Sequence, residues 1–290
     1  MKRALLLFLA ISAFSFNVVM AQKHEEIRVI FRGDDIGMAH GINEAIIEAY
    51  QDGILRTAEV MTTGAWFPEA VKLLNENPGL EVGVHLVLTS GWDQMKSRPL
   101  THAPSLVDEN GYFYPIPKPN GNYPDSMALI NNKWKAEEVE KELRAQIEMA
   151  LENIDNVTHL SPHMGPMSSS PELRTIFEKV GTEYGLPYEF SLDMERIRVE
   201  KVREKRKSPE EKEAELVSIL EKLGPGNWML VSHPGLDTPE IQALSHPGYE
   251  TVAYSTAGDT FMLTSKKVQE LIERRGIRII TYQDLIDNDR

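Results

Sequence analysis

From Glu26 onward the chain alternates short runs rich in β-branched and apolar residues with amphipathic stretches of helical period, and that alternation admits few architectures. Parallel strands joined by crossover helices are its natural product. The runs expected to be strands are Ile27 to Arg32, Ala58 to Thr62, Glu81 to Leu88, Val157 to Leu160, Pro187 to Ser191, Trp228 to Ser232 and Ile277 to Tyr282. The expected helices are Gly41 to Gln51, Pro68 to Asn75, Lys135 to Asn153, Pro171 to Tyr184, Pro209 to Leu223 and Ser265 to Arg275. Pro171 after Ser170 reads as a cap followed by the first helical residue, and Gly276 stops the last helix before a buried strand. These units predict an α/β fold of one domain, a distorted TIM-like barrel with about seven parallel strands.

Residues 1–21 read apart from the rest. Lys2 and Arg3 precede an apolar run from Ala4 to Phe16, which Ser12 and Ser15 interrupt and Asn17 closes, short of the ~20 apolar residues that span a bilayer. Val19-Met20-Ala21 then offers small residues suited to cleavage before Gln22. The expected organisation is a signal peptide over residues 1–21, a barrel over residues 22–290, no membrane span after cleavage, and export to a periplasm or beyond. The chain has no cysteine, so its stability must come from the core or from a bound metal. Lys and Arg total 31 against 44 Asp and Glu, and a net charge of -13 excludes an electrostatic nucleic-acid binder. The oligomeric state, a dimer included, is left open.

Two segments break the rhythm. Residues 89–124 are rich in Pro, Gly, Asn and aromatics without helical period, which predicts an ordered rim loop inserted in the barrel. Residues 195–215 interleave charges of both signs, which predicts a solvated helical face. No Gly-x-Gly-x-x-Gly, P-loop or Gly-x-Ser-x-Gly occurs, so no nucleotide cofactor and no serine hydrolase is expected.

The chemistry concentrates at strand ends. Arg32-Gly33-Asp34-Asp35-Ile36-Gly37 follows an apolar strand, and two adjacent carboxylates there point in different directions and can take different roles. A turn is the plain alternative for an isolated Asp-Asp-x-Gly. His85 lies within Val82-Gly83-Val84-His85-Leu86, His159 and His163 bracket Thr158-His159-Leu160-Ser161-Pro162-His163, and His233 stands in Ser232-His233-Pro234-Gly235. Asp and His at successive strand ends are the layout of a metal site with three protein ligands and a position open to water. Two histidines and a carboxylate suit one divalent ion, zinc before Mg, Mn, Co, Ni or Fe. His24, His40, His102 and His246 take structural or solvent roles by default, with His40 near enough in sequence to the Asp pair to line a pocket. Trp92, Tyr112, Phe113, Tyr114 and Trp134 cluster in or beside the rim loop, where their faces suit sugar rings or pack the loop itself.

Taken together these motifs resemble the YdjC-like (ChbG-type) carbohydrate deacetylases, relatives of the polysaccharide deacetylases. Gly41-Ile42-Asn43-Glu44-Ala45-Ile46, Gly53-Ile54-Leu55-Arg56-Thr57, Leu263-Thr264-Ser265 and Arg275-Gly276-Ile277-Arg278 extend the resemblance over most of the chain. It implies a TIM-like barrel that uses a divalent metal to remove the acetyl group from an N-acetylated sugar or oligosaccharide. It also implies Asp35, His85 and His163 as metal ligands, Asp34 as general base and His233 as general acid. Apart from the resemblance, Arg32, Trp92 and Tyr114 are the residues expected toward a small saccharide. Where the family often has Asp-Ser-His followed by further histidines, this chain has Ser161-Pro162-His163-Met164-Gly165, which implies a shifted metal preference or substrate and offers His159 as an alternative ligand. Two rival readings stay open: a metal-dependent hydrolase of another amide or ester, and a secreted sugar-binding paralogue without turnover.

Overall fold

The computed structural model describes residues 26–188, 191–192, 194–197 and 207–288. The proposed signal peptide, His24 and residues 198–206 of the charged run lie outside them. Seven parallel strands form one sheet: β1 (Ile27–Ile36), β2 (Thr57–Val60), β3 (Glu81–Leu86), β4 (Val157–Pro162), β5 (Glu195–Ile197), β6 (Gly226–Ser232) and β7 (Arg278–Ile279). Their order is β4-β3-β2-β1-β6-β5, and Arg28 of β1 pairs with Asn227 of β6 on one side and Arg278 of β7 on the other. The short β7 therefore shares with β2 the second edge of β1. The helices are α1 (His40–Gln51), α2 (Phe67–Glu76), α3 (Ala136–Asn153), α4 (Pro171–Tyr184), α5 (Pro209–Lys222), α6 (Pro239–Gln242), α7 (Val252–Thr264), α8 (Lys266–Arg275) and α9 (Tyr282–Asn288). Among the described residues no helix is long and apolar enough to cross a membrane.

Local chemistry explains most boundaries. Ser170, Ser208, Thr238 and Ser265 each accept an N–H from their helix's first turn, with Pro as the next residue in three of the four. Ser208 and Glu211 complete a reciprocal capping box. Gly185 and Gly276 close α4 and α8 at φ of 67° and 62°, a conformation that carries no Cβ penalty only for glycine. Ala39, before α1, has no side chain to cap with, and the Glu240 carboxylate of α6 accepts from His40 N and Gly41 N in its place.

Three expectations need correction. The fifth strand described is Glu195–Ile197, which pairs with β6; of the expected run Pro187 to Ser191, residues 189 and 190 lie outside the described residues, and Tyr188 makes a single parallel bridge to Leu160. The last strand stops at Ile279, because Tyr282 already begins α9, whose N–H groups at Tyr282 and Gln283 donate to the buried Glu81 carboxylate at 2.8 and 2.7 Å. The charged run is no single solvated face: Ile197 is buried in β5, and Lys212 of α5 is buried against α7, where the glycine at position 258 leaves room for its stem. Helix α7 itself escaped notice because Thr256, Asp259 and Thr260 are buried along with its apolar residues, which erases the amphipathic period.

Residues 89–124 form an ordered loop between β3 and α3. Phe113, Leu106 and Ile116 are buried in it, and the buried Glu142 of α3 accepts from Leu100 N, Thr101 N and Thr101 Oγ1 at 2.8–3.0 Å. Replacing Glu142 by alanine leaves those donors without their acceptor. We expect a loss of about 1–3 kcal/mol in urea unfolding together with new proteolytic cleavage inside residues 89–124; a variant as resistant as wild type shows that the loop is held by its apolar residues instead.

Candidate metal centre

Strands β1, β3 and β4 run parallel, so their C-terminal ends meet on one rim, and there the chain brings together Asp35, His85 and His163. One ligand atom from each lies within 4.8 Å of the others. His163 Nδ1 is 3.2 Å and His85 Nε2 3.5 Å from Asp35 Oδ1, and the two imidazoles meet edge to face with centroids 5.2 Å apart. Asp35 Oδ1 is buried yet accepts no hydrogen bond, a costly state for a carboxylate oxygen unless a cation shares it. This donor set, two imidazoles and a carboxylate, fits a divalent ion with a coordination position left over. Backbone strain marks the same spot: Asp35 and Met164, the residue after His163, are the only non-glycine residues described with positive φ, at 78° and 55°.

Asp34 borders that cluster and is paired with Arg32, two residues before it and on the same face of the strand. Arg32 Nε and Nη2 donate to Asp34 Oδ1 and Oδ2 at 2.6 and 2.8 Å, a bidentate pair. Burial pushes the Asp34 carboxyl up, but the Arg32 guanidinium, with His85 and His233, more than offsets this and holds it below the usual carboxylate range. Asp34 Oδ2 also faces His85 Nε2 at 3.7 Å and His233 Nε2 at 4.0 Å. His233, at the end of β6, is the accessible member, with 39% of its side chain exposed. Its backbone N–H donates to Asp259 Oδ2 at 2.9 Å, and Asp259 in turn pairs with the buried Lys212.

The structure thus groups Asp34, Asp35, His85, His163 and His233, and separates the others. His159 points beneath the cluster, where its Nε2 meets Glu59 Oε1 at 2.6 Å and its ring stacks on Tyr282 with centroids 3.7 Å apart, so it is not grouped with the three ligand candidates. Arg32 is buried and engaged with Asp34, Glu59 and Tyr282, which removes it from any surface a saccharide could touch. Tyr114 is half-buried and packs on the core. Trp92 lies beside His246 and Tyr249, at centroid distances of 5.4 and 5.7 Å, and donates its N–H to Met38. His40 is exposed, bonded to Glu69 and set against Trp66. Glu59, Tyr282, Lys212 and Asp259 escaped the sequence reading. Only Glu59 left a signal, a charge between the apolar Ala58 and Val60 of a four-residue strand.

His85 is the titrating element of this centre. Burial lowers its pKa from 6.5 to about 4 against the pull of Asp34 and Asp35, so the folded chain holds it neutral, as a ligand must be. A group whose folded pKa is depressed below its unfolded one contributes stability above the unfolded value and loses it as the folded value is approached. In chelator-treated protein, stability should therefore fall by about 3 kcal/mol between roughly pH 6.5 and 4 on account of His85, as unfolded chains take up the proton. Urea midpoints across that range test this; His85→Asn should flatten the slope, and an unchanged slope sinks the assignment.

An α/β sheet thus carries at its C-terminal rim a two-histidine, one-carboxylate cluster that could hold a divalent ion, with an Asp and a His beside it. The YdjC-like protein family profile matches residues 28–274, and the chain belongs to that family. It is 34% identical over 263 residues to a carbohydrate deacetylase of Thermus thermophilus, covering 84% of this chain and 89% of that protein. It is 26% identical over 267 residues to carbohydrate deacetylase 1 of Listeria innocua, covering 89% of this chain and all of that protein. Among solved structures, one from Enterococcus faecalis V583 named for cellobiose-phosphate cleavage superposes with a TM-score of 0.70 at 22% identity, over 90% of this chain and 99% of that one, a likeness of fold.

Proposed function

We propose that this chain is a metal-dependent carbohydrate deacetylase that hydrolyses the acetamido group of an N-acetylated saccharide. The observation that carries the reading is Asp35 Oδ1, buried without a hydrogen bond between two imidazole nitrogens, with a second carboxylate and an accessible histidine on either side. The names of the two curated relatives support the substrate class. Asp35, His85 and His163 would hold the ion, which supplies Lewis acidity toward the amide carbonyl and toward water.

The remaining work falls to this chain's own side chains. Asp34, kept ionised by Arg32, takes the proton from the water that adds to the acetyl carbon, and its Oδ2 is the oxygen facing the histidines. His233, on the open side, gives a proton to the sugar nitrogen as the C–N bond breaks, so acetate and a free amine leave. Lys212 and Asp259 hold the His233 backbone in register for that transfer. The faces of Trp92, His246 and Tyr249 form an aromatic wall suited to a sugar ring, and burial pushes the Tyr249 hydroxyl up to about 12, which keeps it a neutral donor. We also propose that residues 1–21 direct export, so that the mature chain begins at Gln22.

The test is acetate release from a panel of N-acetylated oligosaccharides, with and without chelator. We expect chelator-sensitive turnover, a loss of about 10²- to 10⁴-fold in kcat for Asp34→Asn and for His233→Gln, and loss of bound metal in His85→Ala and His163→Ala. Metal binding without acetate release from any member of the panel points to the other-hydrolase reading, and retention of full activity by Asp34→Asn removes it as the base. Mass spectrometry of protein recovered from the exported fraction should find Gln22 at the N-terminus; an intact Met1 there overturns the export proposal.

A further inference from the structure

His85 is held by one true hydrogen bond, and it is on the ring nitrogen away from the metal cluster. Nδ1 is 2.7 Å from Ser161 Oγ, whereas Nε2 stands 3.5 Å from Asp35 Oδ1 and 3.7 Å from Asp34 Oδ2, beyond hydrogen-bond reach of either. Which nitrogen of a neutral imidazole carries the proton is decided by such a partner. The Ser161 hydroxyl has its own partner: it donates to Glu59 Oε2, in a short contact. Glu59 in turn faces three donors, namely Ser161, His159 at 2.6 Å and Arg32 at 3.5 Å, and accepts from its neighbours. With its only hydrogen committed to Glu59, Ser161 can meet His85 solely as an acceptor.

The sheet is built to let this happen. In the ladder, Glu59 of β2 lies beside residue 83 of β3, which lies beside His159 of β4, while His85 lies beside Ser161. Residue 83 is glycine, and a Cβ there would overlap both Glu59 Oε2 and His159 Nε2. The missing side chain is the gap through which a β2 carboxylate reaches β4.

Resting on the metal reading above, we propose that Glu59 and Ser161 are positioning residues for the metal centre, a carboxylate–hydroxyl relay that keeps the His85 proton on Nδ1 and presents Nε2 bare to the ion. Outer partners of this kind commonly account for 10–100-fold in metal affinity. In this chain the carboxylate reaches the hydroxyl from two strands away, across β3.

The experiment has two readouts. In metal-free, ¹⁵N-histidine-labelled protein, long-range ¹⁵N–¹H correlation should show His85 as the Nδ1–H tautomer in wild type and as a mixture or the Nε2–H form in Ser161→Ala. Zinc affinity by chelator competition should fall 10–100-fold in Ser161→Ala, and in Glu59→Gln as a second, shape-conserving variant. Ser161→Asp in the Glu59→Gln background places a carboxylate directly on Nδ1 and should restore both the tautomer and the affinity. A tautomer unchanged in Ser161→Ala overturns the relay whatever the affinity does, as does wild-type zinc affinity in both single variants. Wild-type protein that binds no zinc, or any other divalent ion, removes the metal reading and with it the relay's purpose, while the tautomer measurement still decides whether the relay exists.

Discussion

The interior of this sheet is charged, and the rest of the molecule is arranged around that fact. Arg32, Asp34, Glu59, His85, His159 and Ser161 are all buried and lie at alternate positions of their strands, so period-2 geometry turns them into the same enclosed space. Ionised groups there would cost several kcal/mol each if unpaired. Their mutual contacts offset that cost: Arg32 spans Asp34, Glu59 and Tyr282, and His159 is clamped between Glu59 and the Tyr282 ring. The Glu81 carboxylate anchors the start of α9 at Tyr282 and Gln283, which ties that helix to β3.

Above this layer the polar groups run out of protein partners. Asp35 Oδ1 is left without a hydrogen bond, and His85 turns a bare nitrogen toward it. The same strands that satisfy the lower layer thus deliver, one step further along, a cluster that is incomplete by itself. Incompleteness at the rim with completeness beneath it is the condition under which the proposed ligands would keep their positions whether or not an ion is bound. His233 belongs to a separate support, the Lys212 and Asp259 pair between α5 and α7, so its backbone is held independently of the Asp35, His85 and His163 cluster.

Much of this was legible in the residues. The β/α alternation, the caps and the Gly stops set the element order, and Asp34, Asp35, His85, His163 and His233 stood out as polar residues at the ends of apolar strands. The strand end near Ile277 misled because an apolar run of that length suits a strand or a helix start equally well. Helix α7 was hidden by its buried threonines, and Lys212 by a run of surface charges that share its residue type but not its neighbours. His159 has the spacing of a ligand, and spacing alone does not tell which layer of a sheet a side chain joins.

What the chain determines locally is therefore the set of strands, the parity of each side chain along its strand, and the concentration of Asp and His at one rim, because hydrophobic period and turn chemistry act within a few residues. The tertiary structure alone decides which of these polar residues satisfy one another and which are left over. Glu59 reaches His159 and Ser161, 100 and 102 residues away, because the ladder register puts β2 and β4 on either side of a glycine. Pairing across strands depends on register and on the volume of the residue between, and neither is written in the neighbourhood of the residues it joins.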